Sequence, residues 1–248
     1  MEINSLVTRK KYKDDIIFRI IGINGNKAIL KGEVVRLIAD ANLDDLRLFF
    51  ANEKRTFVLP KIKEEENLLK GKILHIDGDE YYLKKAIETY SKYNISAIGY
   101  HIKEQEIPFK IEGLLNKHHP DIVVITGHDA YYPNKDKKDI NAYKNSYYYI
   151  EAVKKARDYN SNKDDLIIIA GACQSYYEKL IEEGANFASS PSRSNIHLLD
   201  PIIIASFISN YRINEKIDIE YILSNTISKS LGGIETKGKA RKIFVGEK

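Results

Sequence analysis

The sequence predicts an α/β fold: a domain on a mostly parallel central sheet, preceded by a small N-terminal β-barrel. Three observations carry this expectation. Asp121-Ile-Val-Val-Ile-Thr-Gly-His128 and Leu166-Ile-Ile-Ile-Ala-Gly-Ala-Cys173 are unbroken aliphatic runs, as expected of strands covered on both faces. Between them Ile140, Tyr143, Tyr147, Ile150 and Val153 recur at three- and four-residue steps, the pattern of the crossover helix that parallel strands require. Residues 1 to 50 instead carry short apolar runs divided by turn signals, with Asn24-Gly25 as a hairpin turn.

Composition bounds the function. A chain of 248 residues with 43% apolar content can bury a sizeable core and a small extra module. Thirty-nine basic against 35 acidic residues leave a charge of +4, which does not by itself indicate a nucleic-acid partner. One cysteine forms no internal disulfide, and Met1-Glu-Ile-Asn-Ser-Leu-Val-Thr-Arg-Lys10 lacks the apolar core of a signal peptide, so a reducing cytoplasm is expected. The longest apolar run, Ile202 to Ile208, is far short of the roughly 20 residues that cross a bilayer, so no membrane partner is expected. The six histidines lack metalloprotease spacing and no second cysteine is present for zinc, so neither metal nor cofactor is expected.

In chain order, residues 1–50 form the barrel, of SH3-like size. Arg9, Lys10, Lys11 and Lys13 read as its solvated charged edge. Residues 51–70, with Pro60 and Lys61-Ile-Lys-Glu-Glu-Glu66, read as a charged linker, and 71–248 as the main domain. Its first strand is Lys72 to Asp77; Gly78 turns the chain and Asp79 caps a helix burying Tyr82, Leu83, Ala86 and Tyr90. Ile95 to Ile102 is the second strand. Pro108 opens a helix through Ile111, Leu114 and Leu115, closed by His118-His119-Pro120. The third strand ends at His128 and the fourth at Cys173. A helix through Tyr176, Tyr177, Leu180 and Ile181 follows directly and stops at Gly184. Asn186 to Ser190 is a fifth short strand, leading to Pro191-Ser-Arg-Ser-Asn195. Asp200-Pro201 caps and opens a helix through Ile208, and Asp218 caps another through Ile222, Leu223 and Ile227. Gly232-Gly233 reads as a structural turn.

The chemistry concentrates at two strand ends. If the third and fourth strands are neighbours, the loops carrying His128 and Cys173 meet roughly 5 Å apart, where open α/β sheets place ligands. A thiol with a pKa of about 8.5 needs a cationic or dipolar neighbour to ionise, and His128 and the start of the following helix are both candidates. Cysteine nucleophile and histidine base are therefore the catalytic expectation. A hydrolase of the glutamine-amidotransferase kind is the alternative, with Gly171-Ala-Cys173-Gln-Ser175 approaching a nucleophile elbow and His197 as base, Asp200 nearby.

Ile125-Thr-Gly-His128-Asp-Ala-Tyr131, Ala170-Gly-Ala-Cys173-Gln-Ser175, Gly184 to Arg193, Asn195-Ile-His197 and Gly232-Gly-Ile-Glu-Thr236 resemble the YabG family of sporulation-specific proteases, nearly end to end. Less specifically, the order of strand, His, strand, Ala-Cys resembles the caspase, clostripain and legumain group of cysteine peptidases. The resemblance implies a caspase-like three-layer sandwich and a cysteine endopeptidase that cleaves spore coat and cortex-lytic proteins next to basic residues, in the mother cell or at the spore coat. The group usually has glycine directly after the catalytic histidine, whereas here Gly127 precedes His128 and Asp129 follows it. The oxyanion amide is thus open among Gly127, Asp129 and Cys173. Ser189 and Ser190 occupy the strand that lines the cleft in the group, and Arg193 lies in the loop beyond. Clostripain-like relatives hold arginine with an acid two residues before the cysteine. That position is Gly171 here, so Asp77, at the end of the first strand, is the first choice for the arginine-binding acid, with Asp79 and Asp200 as reserves; the rival reading is that Asp77 only caps the Gly78 turn. Basic residues in the exposed linker, Lys54-Arg55 and Lys61 to Lys72, suggest self-cleavage there.

Overall fold

A computed structural model describes residues 1–50, 58–62, 69–211 and 217–229. Lys54-Arg55, most of the Lys61 to Glu66 run and the Gly232-Gly233 segment lie outside the described residues. The chain divides into two compact units, Met1–Leu59 and Pro60–Lys248.

In the first unit β1 (Leu6–Arg9), β2 (Phe18–Asn24), β3 (Lys27–Gly32), β4 (Ile38–Asn42) and β5 (Leu46–Leu48) form an antiparallel sheet in the order β4-β3-β2-β1-β5. Alternation turns Val7, Phe18, Ile20, Ala28, Leu30, Ala41 and Leu46 into one buried cluster. The expected barrel is not closed among the described residues. Three-residue β5 pairs only with β1, and no bonding joins it to β4. The β2-β3 hairpin turns on Gly25 and Asn26, one residue later than expected; only Gly25 takes positive φ (+57°), so only one residue of the turn needs left-handed freedom. Arg9 pairs with Asp45 at 3.1 Å, and the Lys10 ammonium donates to the Asp44 carbonyl.

The second unit is an α/β domain on five strands: β6 (Ile73–Asp77), β7 (Ala97–His101), β8 (Ile122–Thr126), β9 (Ile167–Ala170) and β10 (Phe187–Ala188). All pairings are parallel and the order is β10-β9-β8-β6-β7. Chain direction across the sheet reverses between β6 and β8, the switch point at which doubly wound sheets open a crevice at the carboxyl ends. The continuous aliphatic runs follow from burial on both faces: every residue of β6, β8, β9 and β10 is buried. Leu74, Ile76, Val123, Ile125, Ile168 and Ala170 pack with α2 (Ile107–His118) and α3 (Ser146–Tyr159). The alternate residues face the opposite way, where α1 (Glu80–Lys92) and α5 (Asp200–Ser209) pack side by side.

Local signals explain the helix ends. Asp79 accepts the Tyr81 amide hydrogen at 3.0 Å, an N-cap that starts α1. Pro108 lies in the first turn of α2, and His119, at φ +44°, ends it. α3 begins at Ser146, so Ile140 and Tyr143 of the expected crossover stripe precede it; Ile140 lies in a 3-10 turn, Tyr147 is exposed, and Tyr149 takes the buried place. The expected stripe crosses a helix boundary, which the bonds of Asn145 and Ser146 to Asp129 fix. α4 (Tyr177–Glu182) is only six residues and begins four residues after Cys173, so a helix dipole at the sulfur is weaker than the sequence suggests. α5 is buried at all ten residues. Asp200 is its first residue rather than its cap, because its carboxylate accepts the Ile227 and Ser228 amides. Asp218 does cap α6 (Ile219–Ser224), which stops short of Ile227. Among the described residues no helix is long and apolar enough to cross a membrane.

Candidate active site

Strand register brings the chemistry to one end of the sheet. β6 pairs with β8 at a constant offset of 49, from Ile73 with Ile122 to Asp77 with Thr126. Continued two residues, that register sets Asp79 opposite His128. β8 pairs with β9 at an offset of 45, from Ile122 with Ile167 to Ile125 with Ala170; the strand pairing ends there, and Gly171 leaves the extended backbone at φ +104°. Asp79 and His128 thus meet beyond the carboxyl ends of two adjacent strands, and Cys173 follows three residues after the carboxyl end of β9, the next strand of the same parallel sheet.

The Asp79 carboxylate divides its oxygens: Oδ1 caps α1 and Oδ2 lies 2.9 Å from Nε2 of His128. An ionised carboxylate only accepts, so Nε2 carries the hydrogen and Nδ1 is left as the basic nitrogen. Among the described residues Nδ1 has no hydrogen-bond partner, and the side chain is 23% exposed. Tyr82 packs edge-on against the imidazole. The backbone beneath is held on both sides: Glu104 accepts the His128 amide hydrogen at 2.8 Å, and Asn145 and Tyr149 donate to the His128 carbonyl. Gly127 is required here because a Cβ would meet the Tyr149 hydroxyl at 2.5 Å and Glu104 at 2.6 Å.

Cys173 is 2% exposed. Its sulfur accepts the Ile196 amide hydrogen at 3.4 Å and lies 3.8 Å from the Ile196 carbonyl oxygen. Gln174 beyond it has φ +62°, a left-handed backbone that is costly for a residue with a side chain. Its amide donates to Ser190 Oγ at 3.0 Å, while its side-chain oxygen accepts the Tyr131 amide hydrogen. Asp129 ties the two loops together. Its carboxylate accepts hydrogens from Ser146, Ser175 and the amides of Ala130 and Asn145, while Ser175 Oγ accepts the Ala172 amide. Burial raises the Asp129 pKa, only partly offset by those hydrogen bonds.

Several expected substrate contacts are placed otherwise. Asp77 is fully buried, not at the rim: Oδ1 accepts the Asp79 amide hydrogen and Oδ2 the Thr126 hydroxyl, because its side chain turns in between β6 and β8. Asp200 is likewise fully buried, its oxygens holding Ile227 and Ser228. Ser189 and Ser190 are buried, and Ser190 pins Gln174 and donates to the Ser194 carbonyl. Arg193 pairs with Glu178, donates to the Tyr143 hydroxyl and lies against the stacked Tyr143 and Tyr176 rings. His197, the alternative base, has its pKa lowered to about 4, first by burial and then by the Lys85 charge, and its Nδ1 accepts the Leu199 amide hydrogen. Among the described residues no cluster of His, Cys, Asp or Glu has the makings of a metal site.

The sequence points to Asp79 as a helix cap but not to its bond with His128, nor to the side-chain roles of Glu104 and Asp129. Asp79 alone left a signal: it stands two residues past the end of the first strand, as His128 does past the third.

A parallel α/β sheet with nucleophile-type and base-type side chains at its switch end is the construction of an α/β enzyme. Comparison makes the class specific. The family described as YabG peptidase U57 matches residues 2–69 and 51–245. The sporulation-specific protease YabG of Bacillus subtilis (strain 168) is 42% identical, over 97% of this chain and 96% of its own length. The chain belongs to the YabG family of sporulation peptidases.

Proposed function

We propose that the chain is a cysteine endopeptidase in which Cys173 is the nucleophile, His128 the general base and acid, and Asp79 the residue that orients the imidazole. The observation that carries this reading is the 2.9 Å bond between Asp79 and His128, at the end of the sheet where β9 leads into Cys173. Nδ1 of His128 takes the thiol proton; the thiolate attacks the peptide carbonyl carbon, and the oxyanion is stabilised by backbone amides drawn from Gly127, Asp129 and Cys173. Collapse breaks the C–N bond as the imidazolium protonates the leaving amine. Water, deprotonated by the same nitrogen, then hydrolyses the thioester and releases the thiolate.

Access needs a movement. A sulfur that is 2% exposed and in contact with the Ile196 backbone is reached by a peptide only when Asn195 to His197 shift. His197 is disfavoured as the base because a base needs a pKa near the working pH, and about 4 leaves it neutral and weakly basic. The amidotransferase-like alternative is tested by which histidine is needed.

The finer reading rests on family membership. Substrates are spore coat and cortex-lytic precursor proteins, processed in the mother cell or at the coat, with cleavage next to arginine in preference to lysine. The sheet order and helices on both faces are compatible with a caspase-like sandwich, residues 1–50 with an SH3-like module, and 51–70 with a linker open to self-cleavage. The internal bonds of the Asp77, Asp79 and Asp200 carboxylates weigh against each of them as the arginine-binding acid. The experiment is turnover of arginine-containing peptides by wild type, Cys173→Ala, His128→Ala and His197→Gln. Loss in the first two variants with retention in the third is expected; turnover by Cys173→Ala overturns the reading.

A further inference from the structure

Beneath the candidate site runs a polar line through the otherwise aliphatic centre of the sheet. His75, in the middle of β6, is fully buried, as are Tyr90 and Asp77, and Thr126 is 1% exposed. Nδ1 of His75 lies 3.0 Å from the Tyr90 hydroxyl and Nε2 lies 2.9 Å from Thr126 Oγ1. Thr126 lies 2.9 Å from Asp77 Oδ2, and Asp77 Oδ1 accepts the Asp79 amide hydrogen at 2.8 Å. Asp79 then meets His128.

Hydrogen directions follow from the chemistry. A carboxylate only accepts, so Thr126 donates to Asp77, and its lone pair takes the Nε2 hydrogen of His75. In the neutral ring Nδ1 then accepts from Tyr90. His75 Nε2 also lies 3.5 Å from Asp77 Oδ2, so the shorter contacts run through the Thr126 hydroxyl, and the line ends by fixing the Asp79 backbone in the extended conformation (φ −134°, ψ 118°) from which its two oxygens serve α1 and His128 separately. Four polar side chains in a strand core are costly unless satisfied, and apolar residues would suffice for packing alone.

Resting on the Cys173–His128 reading, the geometry points to Thr126 as a positioning residue, whose hydroxyl couples His75 to Asp77 and so holds the Asp79–His128 pair in its catalytic orientation. Valine has the shape of threonine without the hydroxyl, and serine keeps the hydroxyl without the methyl. Outer-shell partners of this kind typically change activity by about 10–100-fold. The expectation for Thr126→Val is therefore a kcat about 10–100-fold lower with KM within about twofold of wild type, while Thr126→Ser keeps most of kcat. Circular dichroism and thermal unfolding check that each variant is folded at the assay temperature. Should Thr126→Val not fold, Asp77→Asn, which keeps an oxygen for the Asp79 amide but turns an NH2 donor instead of an acceptor towards Thr126, is expected to show the same loss in kcat.

The proposal is overturned if the folded Thr126→Val (or Asp77→Asn in its place) turns over peptide at wild-type kcat, or if Thr126→Ser is as impaired as Thr126→Val. Cys173→Ala and His128→Ala are assayed alongside. If both are inactive while Thr126→Val is not impaired, the line fails and the Cys173–His128 reading stands. Turnover by Cys173→Ala overturns both.

Discussion

Asp129 accepts the hydroxyl hydrogen of Ser175 at 2.9 Å, and with the Tyr131 amide bond to Gln174 it joins the loop after β8 to the loop after β9. Ser175 in turn holds the amide of Ala172, the neighbour of Cys173. The relative placement of His128 and Cys173 therefore depends on a buried carboxylate that belongs to neither.

Removing it leaves four donors without their acceptor. Asp129→Ala is expected to destabilise by on the order of 3 kcal/mol and to lower peptidase activity beyond the loss of folded protein. Urea unfolding and activity per folded molecule measure the two effects.

The same residue sets a pH dependence. Burial raises its folded-state pKa above 3.8, so in that window the folded protein binds more protons than the unfolded chain. Its contribution to stability is greatest at low pH and falls as pH rises from about 4 through the raised value. Asp129→Asn, which does not titrate, should lose that slope; unfolding free energies of the two proteins between pH 4 and 7 carry the comparison.

His197 acts in the opposite sense. With a folded pKa of about 4 against 6.5, the unfolded chain binds the proton more tightly, so stability falls as pH drops from about 6.5 through 4. The full effect is on the order of 3 kcal/mol. His197→Gln should be less acid-sensitive than wild type, and it should retain peptidase activity at neutral pH.

Gly78 and Gly127 both lie under the Glu104 carboxylate, which a Cβ at either position would strike. Displacing Glu104 also breaks its bond to the His128 amide. Gly78→Ala is expected to cost about 1–3 kcal/mol. In a double-mutant cycle with Glu104→Ala most of that cost should vanish; additive losses would show that Glu104 is not the obstacle.

Opening of the segment over Cys173 should limit its reaction with alkylating agents. Arg193 anchors that segment through Glu178 and Tyr143. Arg193→Ala is therefore expected to speed alkylation several-fold, and an unchanged or slower rate would mean that the anchor does not control access.

Local pattern by itself determined where the strands of the sheet run, which helices Asp79 and Asp218 cap, and that His128 and Cys173 follow aliphatic strands. Each of these depends on a few consecutive residues: an unbroken Ile-Val run has few structures open to it except a doubly covered strand, and an aspartate before an amphipathic stretch finds the amides it caps within its own turn. Where α3 begins, which oxygens Asp77 and Asp200 give to which amides, and that Asp79 faces His128 were decided only by tertiary structure. Asp77 keeps one local partner, the Asp79 amide two residues on, but the Ile227 amide on Asp200, Thr126 on Asp77 and His128 on Asp79 are 27 to 49 residues away and are selected by strand register and burial, which the sequence around each carboxylate does not encode. Asp77 shows the reason most plainly: at a strand end it can turn outward to solvent or inward to Thr126, and the hydroxyl waiting on the neighbouring strand is what makes the inward, fully buried position stable.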